Sequence, residues 1–116
     1  MSQVPGTVTI APEVLVTIAQ LTTRDIPGVY QMSSYWTRRV NRFFDNAHFG
    51  DGVQVQVDMG TVTIDLYIVV SPGYNMLRLG RTIQDHVIRA VEEMVGMPVH
   101  EVNVHIEDVH YTPEAS

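Results

Sequence analysis

The sequence predicts an α+β fold of two layers, with helices on one face of a mixed sheet of three to four strands, in the order β-α-β-β-α-β. Three observations predict it. In Val53-Gln54-Val55-Gln56-Val57 apolar and polar residues alternate strictly. Successive Cβ atoms on a strand point to opposite sides, so this stretch builds a sheet with one dry face and one wet face. Between Asn75 and about Val95 the apolar residues Met76, Leu79, Gly80, Ile83, Val87, Ala90, Val91 and Met94 recur at helical spacing. A helix with a single apolar stripe has to bury it, and the dry face of the sheet is the surface available.

Each element has its own local reason. Thr7-Val8-Thr9-Ile10 alternates and reads as a short first strand. Pro12 suits the first turn of a helix, where its missing N–H would be unpaired anyway, and Glu13 favours the positive end of the helix dipole. Val14, Leu15, Ile18, Ala19 and Thr22 give that helix its stripe, and Ile26-Pro27-Gly28-Val29 stops it. Residues 30–51 read as a variable helix or loop, with Trp36, Val40, Phe43 and Phe44 on one helical face and Arg38, Arg39 and Arg42 around the other. Phe49-Gly50-Asp51-Gly52 closes it with turn chemistry.

Strands over Val53 to Asp58 and Thr61 to Val70, reversed at Met59-Gly60, form an antiparallel hairpin. Ser71-Pro72-Gly73 breaks the second strand, and Asn75 is placed to cap the long helix. Gly96 and Pro98 end that helix, the last strand runs from about Val99 to Val109, and residues 112–116 are a frayed tail. Strands 61–70 and 99–109 are either adjacent and parallel, joined by a right-handed crossover, or separated by the short first strand in a ferredoxin-like order.

The chain has 116 residues, which fits one domain over 1–116, ordered from about 4 to 111. It contains no cysteine, which excludes disulfides and thiolate metal sites. The first eleven residues lack a charged leader and a long apolar core, and no apolar run approaches the roughly 20 residues that span a bilayer. The expectation is a cytoplasmic protein without direct membrane insertion, whose membrane contact is peripheral and made through a partner. Charge is uneven: residues 1–50 carry four arginines against three acids, and residues 51–116 carry three against ten. An acidic body repels nucleic acid and anionic lipid, both of which are bound largely by neutralising phosphates.

The wet face of the three long strands carries Gln54, Gln56, Asp58, Thr61, Thr63, Asp65, Tyr67, Glu101, Asn103, His105 and Glu107. Two readings stand side by side: an ordinary solvated sheet face, or a self-association or partner surface anchored by Tyr67 and His105. His100, His105 and His110 invite a metal-dependent activity, but alternation sends His100 and His105 to opposite faces, and the zinc pattern H-E-x-x-H is absent. No nucleophile elbow or glycine-rich phosphate loop appears, so no catalytic, cofactor or metal residues are assigned. Trp36 and Phe43 beside Arg38, Arg39 and Arg42 have the look of a surface-binding helix, although such stripes more often cover their own core.

Several blocks together resemble the alkaline-shock protein family, the envelope stress response family of Gram-positive and related bacteria. They are Val8 to Leu15, Ile26 to Val29, Gly52 to Val55, Ile64 to Val70, and Val102 to Ile106 with Val109. The likeness covers about residues 4 to 111. It implies a small, non-enzymatic cytoplasmic protein that assembles with itself and is held near the membrane by a membrane-anchored partner. For other members it implies a regulatory role in fatty-acid metabolism, through binding to an enzyme. No catalytic residue and no cofactor is carried over. The segment from Tyr35 to Phe49 departs from the lysine- and glycine-rich pattern frequent there.

Overall fold

The computed structural model describes residues 5–33 and 47–111. Its elements are α1 (Pro12–Arg24), β1 (Val29–Met32), β2 (Ala47–Gly50), β3 (Val53–Asp58), β4 (Thr61–Val70), α2 (Met76–Met94) and β5 (Val99–Val109). The class is α+β, as expected, with both helices packed on one face of a single mixed sheet. Among the described residues the sheet has five strands, and the order of elements is α-β-β-β-β-α-β.

Three sequence expectations are corrected here. Thr7 to Ile10 forms no strand: its alternation is strand-like, yet it enters no ladder with the described residues. β1 and β2 fall in the stretch read as helix or loop. Each is four residues long, too short to display a period of two against the competing helical spacing of Trp36 and Phe43. Phe49 and Gly50, read as turn, are the end of β2, and the reversal itself is only Asp51-Gly52, with Gly50 opposite Val53. The helix expected around Trp36 to Phe44 lies outside the described residues.

β4 is the centre of the sheet. β5 runs parallel along one side of it, from Val62 opposite Val99 to Val70 opposite Val109. This is the first of the two arrangements the sequence left open. On its other side β4 pairs antiparallel with β3 from Thr61 to Leu66, and then with β1 from Ile68 to Val70. Tyr67 occupies the junction. Its N–H donates to the Gly52 carbonyl (2.8 Å), and its carbonyl accepts from the Ser33 N–H (2.7 Å). Both β-turn residues between β3 and β4, Met59 (φ 49°) and Gly60 (φ 79°), take positive φ, the pattern of a two-residue hairpin that follows the sheet twist.

The core lies between the helices and the dry face. Val62, Ile64, Leu66, Ile68 and Val70 of β4 are all fully buried, with Val53 and Val55 of β3 beside them. α2 contributes Leu79, Ile83, Val87 and Val91. The ends of its expected stripe, Met76 and Met94, are exposed. Asn75 caps α2 as expected, its side chain accepting from the Arg78 N–H at 2.9 Å. In α1 the buried set is Leu15, Val16, Ala19 and Thr23, so the helix is turned relative to the stripe read from sequence and Val14 faces out. The rotation brings Val16 against Gly50 of β2, where the missing side chain lets helix and sheet approach closely.

Candidate functional site

The face opposite the helices is built by β3, β4 and β5, and its polar groups gather around Tyr67. Register places Asp65 beside Asn103 and Tyr67 beside His105. The His105 Nε2 lies 2.9 Å from the Asp65 Oδ1. The Tyr67 and His105 rings stack with centroids 4.5 Å apart and planes 11° from parallel. Parallel pairing sets such neighbours side by side, so the sheet itself presents the two rings together. Asn103 donates to Glu101 at 2.9 Å.

Glu107 joins the cluster because β5 carries an irregularity between Ile106 and Asp108, which adds a residue relative to β4. Its Oε1 accepts a hydrogen bond from the Ser33 hydroxyl, and its Oε2 is buried with no hydrogen-bond partner among the described residues. Burial, then Asp65, then Glu107 push the Tyr67 hydroxyl above the usual tyrosine range, because a phenolate there would be poorly solvated and close to two carboxylates. Tyr67, His105, Ile106 and Glu107 line an open depression of about 500 Å³.

The sequence-derived site residues divide as follows. Asp65, Tyr67, His105 and Glu107 converge, and Thr63 and Asn103 lie on the same face within one or two residues of them. Gln56 is half-buried opposite Thr63. Gln54 is a correction: read as solvated, it is only 5% exposed. Its neighbours in the sheet are Asp65 on β4 and Phe49 on β2, and alternation along β3 alone gave no sign that β2 would flank it. Trp36, Arg38, Arg39, Arg42 and Phe43 lie outside the described residues. Sequence reasoning missed Ser33, which reaches the site from just beyond β1; a lone serine after a four-residue strand carries no signal of its own.

Four of the five histidines have separate partners, His110 stacking on the Tyr30 ring with centroids 3.8 Å apart. His100 lies 3.7 Å from Glu101, His48 lies 3.6 Å from Glu13, and His105 is engaged by Asp65. What the arrangement offers is a pair of stacked rings, hydrogen-bonding groups and carboxylates on an open sheet surface. That combination suits contact with another macromolecule better than enclosure of a small substrate.

The fold and face define a class: a small α+β domain whose polar surface lies on a sheet rather than in a cleft. The chain belongs to the alkaline shock protein family, described as having a cell envelope-related function, which it matches over residues 1–111. Among its relatives is the uncharacterized protein YqhY of Bacillus subtilis, 29% identical over 110 residues, covering 95% of this chain and 82% of the relative. The uncharacterized protein Spy1535 of Streptococcus pyogenes serotype M6 is 30% identical over 105 residues, covering 90% and 79%. The uncharacterized protein YloU of Bacillus subtilis is 28% identical over 109 residues, covering 92% and 91%. No solved structure matches the chain. Among the described residues no helix is long and apolar enough to cross a membrane.

Proposed function

We propose that this chain is a non-enzymatic binding and assembly protein of the cell envelope stress type. It works in the cytoplasm, associates with copies of itself, and docks near the membrane through a partner protein. The observation that carries this reading is the Tyr67–His105 stack, fixed by sheet register and by Asp65 on an open face. Aromatic groups held in place before contact lose little conformational freedom on binding, and such anchors dominate protein interfaces. The family's cell envelope-related description supports the setting.

The test is light scattering after size exclusion, at rising protein concentration. The chain should grow in mass with concentration. Tyr67→Ala and His105→Ala should each weaken the association by about tenfold or more, the effect expected of an interface anchor. A strict monomer throughout would overturn the reading. Association unchanged by both substitutions would remove this face from it.

A further inference from the structure

One edge of the sheet and one stretch of chain are both without a strand partner among the described residues, and they match each other. β5 pairs with β4 alone. From Glu101 to Ile106 that pairing is regular, with irregularities on either side. A regular edge strand presents a row of N–H and C=O groups, a template for another strand; here the Val102 carbonyl already accepts from the Gln84 side chain at 3.0 Å, just before residues 103–106. The greasy face also thins there: Val104 and Ile106 are half-buried, while Leu66 and Ile68 beside them on β4 are fully buried.

The stretch is Thr7-Val8-Thr9-Ile10. It is exposed, with Val8 at 91% and Ile10 at 40%. Pro5 and Pro12, which lack an N–H, bracket the residues able to join a ladder. Laid beside β5, the segment would set Val8 and Ile10 next to Val104 and Ile106, and Thr7 and Thr9 next to Asn103 and His105. Dry would meet dry and wet would meet wet, as the period of two demands.

Two observations favour a second copy as the donor. The start of α1 lies over β2, where Glu13 meets His48 at 3.6 Å. β2 and β5 are at opposite ends of the order β2-β3-β4-β5, about 14 Å apart at the usual strand spacing, so a chain's own segment begins at the wrong edge. Charge opposes the alternative of β5 against β5. That strand carries Glu101, Glu107 and Asp108 and no arginine, whereas the residues before Pro12 carry no acid.

We propose that the Thr7–Ala11 segment of one copy adds as a strand to the β5 edge of a second copy. The proposal rests on the self-association read above and names its contact. The joint is head-to-tail, using two different surfaces, so it can propagate from copy to copy.

Because the chain has no cysteine, single cysteines can report the contact. Full-length Thr7→Cys and Asn103→Cys proteins, whose new thiols the proposed register sets side by side, are mixed and oxidised. The mixed disulfide dimer should exceed either homodimer, and adding Val8→Lys and Ile10→Lys to the Thr7→Cys chain should abolish it. Dominant Asn103→Cys homodimers would overturn the proposal in favour of β5 pairing with itself. So would absence of any cross-link, or an internal disulfide in a monomeric chain carrying both cysteines.

Light scattering separates this proposal from the reading beneath it. Val8 and Ile10 are surface residues, so the Val8→Lys/Ile10→Lys protein should keep wild-type thermal unfolding while its association midpoint rises at least tenfold. If it assembles like wild type while Tyr67→Ala does not, strand addition falls and the sheet-face reading stands. If wild type stays monomeric at every concentration, both fall.

Discussion

Gly50→Ala tests a close helix–sheet contact in the fold. An added Cβ would stand 2.5 Å from the Val16 Cγ1 and 3.9 Å from the Val16 Cβ. Carbon atoms pack at about 3.5–4.0 Å, so the overlap with the methyl is about 1 Å. Val16 cannot simply swing away, because a valine in a helix is held near one rotamer. It is also buried, so α1 itself must shift. Overpacking of this kind costs about 1–3 kcal/mol. Against it stands the gain from replacing a strand glycine, about 0.5–1 kcal/mol. The net loss should be about 1 kcal/mol, within limits of about 0 and 2.5 kcal/mol. With an unfolding entropy near 2.1 cal/mol/K per residue, each kcal/mol moves the Tm of a chain this size by roughly 4 °C, so the drop should be about 4 °C. Circular dichroism melts and urea titrations would measure it. Val16→Ala alone removes two buried methyl groups and should cost about 2 kcal/mol. The double variant should lose about 1–3 kcal/mol less than the sum, because the smaller Val16→Ala side chain makes room for the new methyl. An unchanged or raised Tm for Gly50→Ala, or a cycle additive to about 0.5 kcal/mol, would refute the reasoning.

Further outcomes follow from the same structure. Gly52→Ala should cost more than Gly50→Ala, since Gly52 has φ +71° and its Cβ would meet the Tyr67 carbonyl at 2.7 Å and the Ser33 carbonyl at 2.9 Å; equal stability by urea titration would contradict that. Asn75→Ala removes the cap on the Arg78 N–H and should lower stability by about 1 kcal/mol, with Asn75→Ser restoring most of it. Tyr67 is raised in the folded state, so the unfolded chain gives up this proton first as pH climbs. Its contribution to stability is therefore complete below about pH 10, the ordinary tyrosine value, and is lost as pH rises through the higher folded value. Melts between pH 8 and 12 should show a shallower alkaline decline for Tyr67→Phe than for wild type; identical slopes would remove the effect.

What was legible in the sequence was whatever had a long period or a cap. Ten residues of alternation gave β4, nineteen residues of helical spacing and Asn75 gave α2, and Met59-Gly60 gave the hairpin. β1 and β2 were illegible because four residues show scarcely two alternations; β1 also takes its ladder bonds from β4, remote in sequence, while β2 pairs with β3 across only Asp51-Gly52. Thr7 to Ile10 shows the converse: alternation prepares a strand, but only a neighbour makes one. The site was half legible. Alternation put Asp65, Tyr67, His105 and Glu107 on one face, and register, which alternation does not fix, then joined His105 to Asp65 and to the Tyr67 ring. Gln54 misled because its burial depends on elements outside its own strand.

The central position of β4 bears on how the chain is made. Its β3 hairpin can close as soon as residue 70 has emerged from the ribosome, because those partners are close in sequence. Its parallel partner comes only after a whole helix, so the other flank of β4 stays bare until Val109 has been synthesised. During that interval a row of valines, isoleucine and leucine is joined on one side and open on the other, a state prone to sticking to neighbouring nascent chains. Translation speed across α2 and β5 thus sets how long that hazard lasts, and slow codons placed there would lengthen it.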